Sequence, residues 1–339
     1  MSDFQQMELD DVFDLSGRLE SEQKLAALAW AIVRRGSLTS LSMAESELVD
    51  MAGEAPASII SDIANAIEQG GDPLGDAFER LRSARQRRPM GAVYTPPGIV
   101  DAMVGWVSSK EQPARIIDPG SGSGRFALRA GRTFPDASLV AVELDPLAAL
   151  LCRANLTAAG LDGRSRVVVD DYRQADLAPC DGVTAFVGNP PYVRHHQIER
   201  RWKEWLTSNA ASRGLPVSAL AGMHIHFFLA TLMQARPGDL GAFITSAEWM
   251  DVNYGRLLRK MLTNGLGAES IHVLAPEAMP FEGTATTASV TCFHVGSGAS
   301  SVKMRRVEKV EDLADLARGR SIGKKKLKQE KRWSPLLIS

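Results

Sequence analysis

Cysteine is nearly absent from this 339-residue chain: Cys152, Cys180 and Cys292 are all it has, and no two stand in a C-x-x-C spacing. That scarcity excludes a disulfide framework, argues against structural zinc, and points to a reducing compartment, with the cytoplasm as the expected location. No metal site is expected. Missing too is any run of eighteen apolar residues, so a membrane-spanning helix is not expected. The opening MSDFQQMELDDVFDL is acidic and lacks the basic and apolar stretches of a secretory signal. What remains is ordinary for a globular protein, 45% hydrophobic and 23% charged, with length for one large α/β domain and a smaller appendage. Net charge is also small, −1 at pH 7, yet it is strongly polarised along the chain. Residues 1–75 carry fourteen Asp and Glu against four Lys and Arg, whereas residues 301–339 carry twelve basic side chains against five acidic.

Apolar spacing divides the chain. Leu25, Leu28, Ala29 and Ile32, then Ile59, Ile60, Ile63 and Ile67, then Leu74, Phe78 and Leu81 recur at helical period. Residues 1–88 are therefore expected to form an N-terminal helical unit. The run Arg80, Arg82, Arg85, Arg87 and Arg88 closes it, either as a solvated face or as a phosphate contact. From residue 114 the period changes to short β-branched runs, ARIID, ASLVAVEL, SRVVVDD, GVTAFVGN, GAFIT, SIHVL and SVTCFHV, mostly separated by helical spacing. That alternation predicts an α/β fold, a doubly wound, mostly parallel sheet of seven strands over residues 89–300, with the last strand reversed. Residues 301–339 are expected to be a basic C-terminal segment, the start or remnant of a recognition domain. Its lysines Lys324, Lys325 and Lys326 are candidate phosphate contacts.

Two clusters carry chemistry. Asp118-Pro119-Gly120-Ser121-Gly122-Ser123-Gly124 follows the first strand, where glycines let backbone approach a ligand and the third permits close helix packing. Glu143 ends the next strand, placed to accept both ribose hydroxyls of a nucleoside. A dinucleotide remains possible, although Arg125 stands where G-x-G-x-x-G needs its last glycine. Asp171, in Asp170-Asp171-Tyr172 at the third strand's end, is placed for an adenine amino group, while Asp170 could equally be a solvated strand end. The second cluster, Asn189-Pro190-Pro191-Tyr192, follows the fourth strand. An exocyclic amine on adenine is a poor nucleophile because its lone pair is delocalised into the ring. Acceptors aimed at its two N–H bonds, the Asn189 side-chain oxygen and the Pro190 carbonyl, would draw nitrogen towards sp³. The prolines stiffen that turn, and Tyr192 can stack on a base held outside its helix.

In these residues the chain resembles the gamma-class, TaqI-like N6-adenine DNA methyltransferases of restriction and modification systems. The likeness runs over about residues 88–300, through Gly91-Ala92-Val93-Tyr94-Thr95-Pro96-Pro97, DPGSGSG, VAVELDP, VVVDDY, GNPPYVR, GAFITSAEWMDVNYGRLLRKML and the loop holding Phe281. It implies the class I S-adenosylmethionine-dependent methyltransferase fold, with DNA as partner and S-adenosyl-L-methionine as cofactor. It further implies cofactor contacts at Tyr94, Thr95, Pro96, Asp118, Gly120, Gly122, Gly124, Glu143, Asp171 and Asn189, with the base held by Asn189, Pro190, Tyr192 and Phe281. Two departures stand out. His224 and His226 occupy the place of the family's Asp-Leu-Tyr and are read as packing residues. Only about forty residues follow the last strand where relatives carry a long target-recognition domain, so either the chain is truncated or specificity comes from elsewhere, from a separate specificity subunit or partner chain. Arg194 and His195 are candidate phosphate contacts, His195 and His196 being otherwise exposed loop. Trp202, Trp205, Trp249 and Trp333 are read as core or surface anchors. The competing readings are a glutamine-amide protein methyltransferase, an RNA adenine methyltransferase, and a noncatalytic subunit of a modification complex.

Overall fold

The computed structural model describes residues 19–82, 95–278 and 287–337. Four helices come first: α1 (Glu22–Val33), α2 (Met43–Asp50), α3 (Ala57–Glu68) and α4 (Pro73–Leu81). An alternating stretch follows, with α5 (Pro97–Ser108), β1 (Arg115–Pro119), α6 (Arg125–Thr133), β2 (Ser138–Glu143), α7 (Pro146–Ala158), β3 (Ser165–Val169) and β4 (Thr184–Gly188). It continues with α8 (Arg200–Ala211), α9 (Met223–Gln234), β5 (Leu240–Ser246), α10 (Arg256–Asn264) and β6 (Ala268–Leu274). Last come β7 (Ala288–His294), β8 (Ser301–Val307), β9 (Arg320–Gly323) and α11 (Lys324–Gln329). None of the described helices is long and apolar enough to cross a membrane. Contacts group the chain into two units, Met1–Arg85 with Gly120–Ala175, and Gln86–Pro119 with Asp176–Ser339.

The first unit is discontinuous in sequence, and its core explains why. Leu25, Leu28 and Ile32 of α1, Ile63 and Ile67 of α3 and Leu74 of α4 pack in one cluster with Leu147, Leu150 and Leu151 of α7. The N-terminal helices, set apart by their period in the sequence, thus share their core with the helix that follows β2. The helix starts are locally encoded. Ser21 caps α1, Asp72 caps α4 with Pro73 behind it, and Asp145 caps α7 with Pro146 behind it, each supplying a side-chain acceptor to orphan backbone N–H groups. Two ion pairs reinforce the packing: Arg153 of α7 donates to Glu45 of α2 at 2.6 Å with both side chains buried, and Arg82 reaches both Glu22 and Asp145. The arginine run is therefore not wholly a solvated or phosphate-binding face: Arg82 belongs to this unit's interior contacts. In the same unit β2 pairs in parallel with β3, placing Glu143 opposite Val169.

In the second unit the strands run β1-β4-β5-β7-β6-β8-β9. The β1–β4, β4–β5 and β6–β8 pairs are parallel, and β7 runs antiparallel to both β5 and β6, as does β9 to β8. All seven expected strands are present, but the described residues hold nine. The two further strands lie in the basic C-terminal segment, expected as the start or remnant of a recognition domain. In β8 Val302, Met304 and Val307 are buried while Lys303 and Arg306 are exposed. That alternation is a half-buried strand with its charges turned outward. Trp333 is buried edge-on against Trp249, with ring centroids 5.7 Å apart, and donates its indole N–H to the Leu327 carbonyl. The sheet's mixed character follows from β7 and β9 together.

Candidate active site

In the first unit the glycine-rich turn is built on three left-handed residues. Gly120, Gly122 and Gly124 have φ of 70°, 55° and 92°, values that a side chain would strain. The Val142 carbonyl at the end of β2 accepts from Gly120 N at 2.8 Å and Ser121 N at 3.1 Å. A Cβ on Gly124 would lie 2.7 Å from the Cys152 Sγ of α7, so this glycine permits the close helix approach. A Cβ on Gly122 would meet nothing within 4 Å, which leaves that side of the turn open. Ser121 Oγ is buried and finds no hydrogen-bond partner among the described residues.

Glu143, half-buried at the end of β2, accepts from Gly122 N at 2.8 Å through Oε2 and from Asp145 N at 2.9 Å through Oε1. Burial pushes its carboxyl above the usual carboxylate range, against the pull of those N–H donors. Each carboxylate oxygen keeps a further lone pair, enough for two hydroxyls. Open glycine backbone, a buried hydroxyl and a two-toothed acceptor together fit a nucleoside-bearing cofactor. Asp171 is engaged otherwise. Its oxygens take the Arg173 guanidinium in a bidentate pair, 2.8 Å from Nε and 2.5 Å from Nη2, and Oδ1 also accepts Arg173 N at 3.0 Å. Asp170 accepts from Gln174 Nε2 and from Asp171 N, both at 2.7 Å. Arg173 was not foreseen from the sequence, although a basic residue two positions past an acidic strand end is a local signal for such a pair.

In the second unit Asn189 leaves β4 beside Gly188, where a Cβ would lie 3.2 Å from Asp118 Oδ1, and Asp118 itself is buried at the end of β1. The Asn189 Nδ2 donates to Thr95 Oγ1 at 3.0 Å. This bond turns the NH₂ end of the amide to Thr95 and makes Oδ1 the end that can accept from an amine. Thr95, expected on the cofactor, is thus found bonded to the Asn189 amide. Pro96 occupies the N-cap position of α5 without a side-chain capping bond, and Pro97 opens the helix. Pro190 is buried, Pro191 and Tyr192 are half-buried, and burial pushes the Tyr192 phenol above its usual range. Tyr94 and Phe281 lie outside the described residues, as do Arg85, Arg87 and Arg88.

The segment after Tyr192 is anchored by its own small core of Val193, Ile198 and Trp202, with Trp205 and Met223 against it. Trp205 stacks on His226, centroids 6.0 Å apart at 11°. His224 is buried, and burial lowers its pKa to about 4. Arg194 is exposed and His195 half-buried, edge-on to His196 at 5.6 Å. Lys325 and Lys326 are exposed, whereas Lys324 is half-buried and its pKa lowered by burial.

A family profile described as N-6 DNA Methylase matches residues 69–293. The chain is 47% identical over 329 residues to the type II methyltransferase M.XamI of Xanthomonas campestris pv. amaranthicola, covering 93% of this chain and 60% of that protein. It therefore spans about three-fifths of that relative's length. Among solved structures, a Listeria monocytogenes protein assigned to the class I S-adenosylmethionine-dependent methyltransferases superposes with a TM-score of 0.62 at 13% identity, covering 91% of this chain and 99% of that one. The methyltransferase subunit of a type I restriction-modification system from Streptococcus thermophilus superposes with a TM-score of 0.56 at 17% identity, over 87% and 64% of the two chains. These likenesses show the class I methyltransferase fold.

Proposed function

From a chain that belongs to the N-6 DNA Methylase family, we propose an enzyme that transfers the methyl group of S-adenosylmethionine to N6 of adenine in DNA. The observation that carries this reading is the Asn189 amide, oriented by Thr95 so that an acceptor begins the Asn-Pro-Pro-Tyr turn. S-adenosylmethionine, when bound, supplies an electrophilic methyl group on a sulfonium. Gly120, Gly122 and Gly124 offer backbone to it, and Glu143 accepts the ribose hydroxyls. Asp118, Asp171, Tyr94 and Pro96 remain proposed cofactor contacts, Asp171 on condition that Arg173 shares or releases its carboxylate. Asn189 Oδ1 and the Pro190 carbonyl accept the two N–H bonds of the adenine amine, which localises its lone pair for attack, and Pro191 keeps the turn extended. Tyr192 and Phe281 hold the extruded base by stacking. No side chain need remove a proton before attack, since nitrogen becomes acidic only after methylation.

The exposed Arg194, Lys325 and Lys326, with His195 and Lys324, are proposed phosphate contacts that bind backbone without choosing sequence. Because residues 301–307 and 320–323 are strands of the sheet, the described part of the C-terminal segment is built onto the second unit and not set apart as a body that reads base edges. Target choice is accordingly assigned to a further domain or a specificity subunit. The test is label transfer from methyl-tritiated S-adenosylmethionine to duplex DNA, RNA and release factor in parallel, with nucleoside analysis of the DNA. N6-methyladenine in DNA is the expected product. Label confined to RNA or protein would overturn the reading.

A further inference from the structure

Three alternating glycines make a flexible turn, and something must hold it in one shape. On one side Glu143 does so through Gly122 N. The other side is held by a residue 51 positions upstream, in the helical segment. Asp72 Oδ2 accepts from Ser123 Oγ at 2.6 Å and from Arg125 Nε at 2.6 Å. Its Oδ1 accepts from Asn155 Nδ2 at 2.8 Å and from Gly75 N at 2.9 Å. Asn155 Nδ2 in turn donates to the Ser123 carbonyl at 2.9 Å. Ser123 lies between two left-handed glycines, so the turn is gripped at its side chain and its backbone together. Asp76, one turn along α4, takes Arg125 Nη2 at 2.7 Å. The approach is close by construction: a Cβ on Gly75 would stand 2.1 Å from Asp72 Oδ2 and 2.5 Å from Ser123 Oγ.

We infer that Asp72 is a positioning residue for the cofactor, the means by which the N-terminal helices set the shape of the Gly122–Gly124 turn. The inference rests on the assignment of that turn to S-adenosylmethionine. Asp72 carries four acceptor bonds, more than capping α4 requires, and three of them go to the turn or to the helices on either side of it. A second tie between the same helices and α7, Glu45 to Arg153, touches no residue of the turn. The two ties can therefore be separated by experiment.

Calorimetric titration of S-adenosylmethionine into the full chain is the test, run on wild type, Asp72→Asn, Ser123→Ala, the double variant and Glu45→Gln. Asp72→Asn keeps the shape but loses the charge and one acceptor, and Ser123→Ala removes only the hydroxyl. Each should weaken binding roughly tenfold, the scale of one lost bond to a charged group. The double variant should be little worse than either single one, because both remove the same contact. In turnover, KM for S-adenosylmethionine should rise while kcat at saturation is retained. Glu45→Gln should lower Tm without changing the affinity. A wild-type chain that bound no S-adenosylmethionine would overturn the assignment of the turn itself. Wild-type binding with unchanged affinity in Asp72→Asn and Ser123→Ala would overturn the inference alone, as would an equal weakening by Glu45→Gln.

Discussion

Glu143 and Asn189 put different demands on one kind of chemistry, the placement of an oxygen acceptor. Glu143 is held before any ligand arrives, each oxygen already bonded to a backbone N–H. Glu143→Ala should weaken S-adenosylmethionine binding by about 1.5–3 kcal/mol, or roughly ten- to a hundredfold. Because burial raises this carboxyl's pKa, protonation on acidification sets in above the ordinary carboxylate range. Affinity measured down a pH series should fall there and should not do so in Glu143→Gln. In the proposed reaction Asn189 would act as charge develops on nitrogen, so Asn189→Ala should lower kcat by about two to three orders of magnitude with the cofactor affinity kept. Thr95→Val leaves the amide in place without its partner and should cost kcat less. Rapid-quench single turnovers would separate the two variants. Equal losses would mean that Thr95 does more than orient Asn189.

Elements were legible where a short stretch imposes its own geometry. The seven apolar runs became β1 to β7, and the amphipathic stripes became α1, α3 and α4, because burial demands those periods. Helix α2 escaped: of its eight residues only Glu45 is buried, and that in a pair with Arg153, 108 positions away. Strands β8 and β9 were hidden by their charge, since the lysine and two arginines of SVKMRRV mask its buried Val302, Met304 and Val307. Arg305 even points inward, donating to His272 Nδ1 at 2.9 Å. The candidate site divides in the same way. Its glycines, Glu143 and Asn189 are local signals, whereas the Thr95–Asn189 and Asp72–Ser123 bonds join distant segments that no periodicity connects. The C-terminal segment is integral to the sheet, so removing its anchor should be felt throughout. Trp333→Ala should cost about 3–5 kcal/mol, as for other large buried side chains. Chemical denaturation would register it, and a change below 1 kcal/mol would mean that the segment is only draped on the surface.

At the scale of the whole molecule, two buried histidines set an acid limit. Burial lowers the pKa of His224 to about 4, and that of His272 likewise, with Arg305 adding to the effect. An unfolded chain takes up these protons near the usual 6.5, while the folded one refuses them until about 4. Stability is thus complete above the upper value and lost as pH falls through the window between them. Tm measured across that window should fall, and His224→Gln should flatten the slope. A slope that His224→Gln leaves unaltered would show that His224 contributes nothing to it.

The discontinuous first unit also constrains the order in which the chain can fold. Leu25, Ile32, Ile63 and Leu74 complete their cluster only with Leu147, Leu150 and Leu151. The first helices to emerge during synthesis therefore expose apolar faces until α7 has been made. A fragment of residues 1–88 should accordingly show little cooperative melting by circular dichroism and a tendency to aggregate. A fragment joining residues 1–85 to 120–175 through a short linker should melt cooperatively. If the first fragment melted as sharply as the second, the helices would be an autonomous module and α7 merely a neighbour.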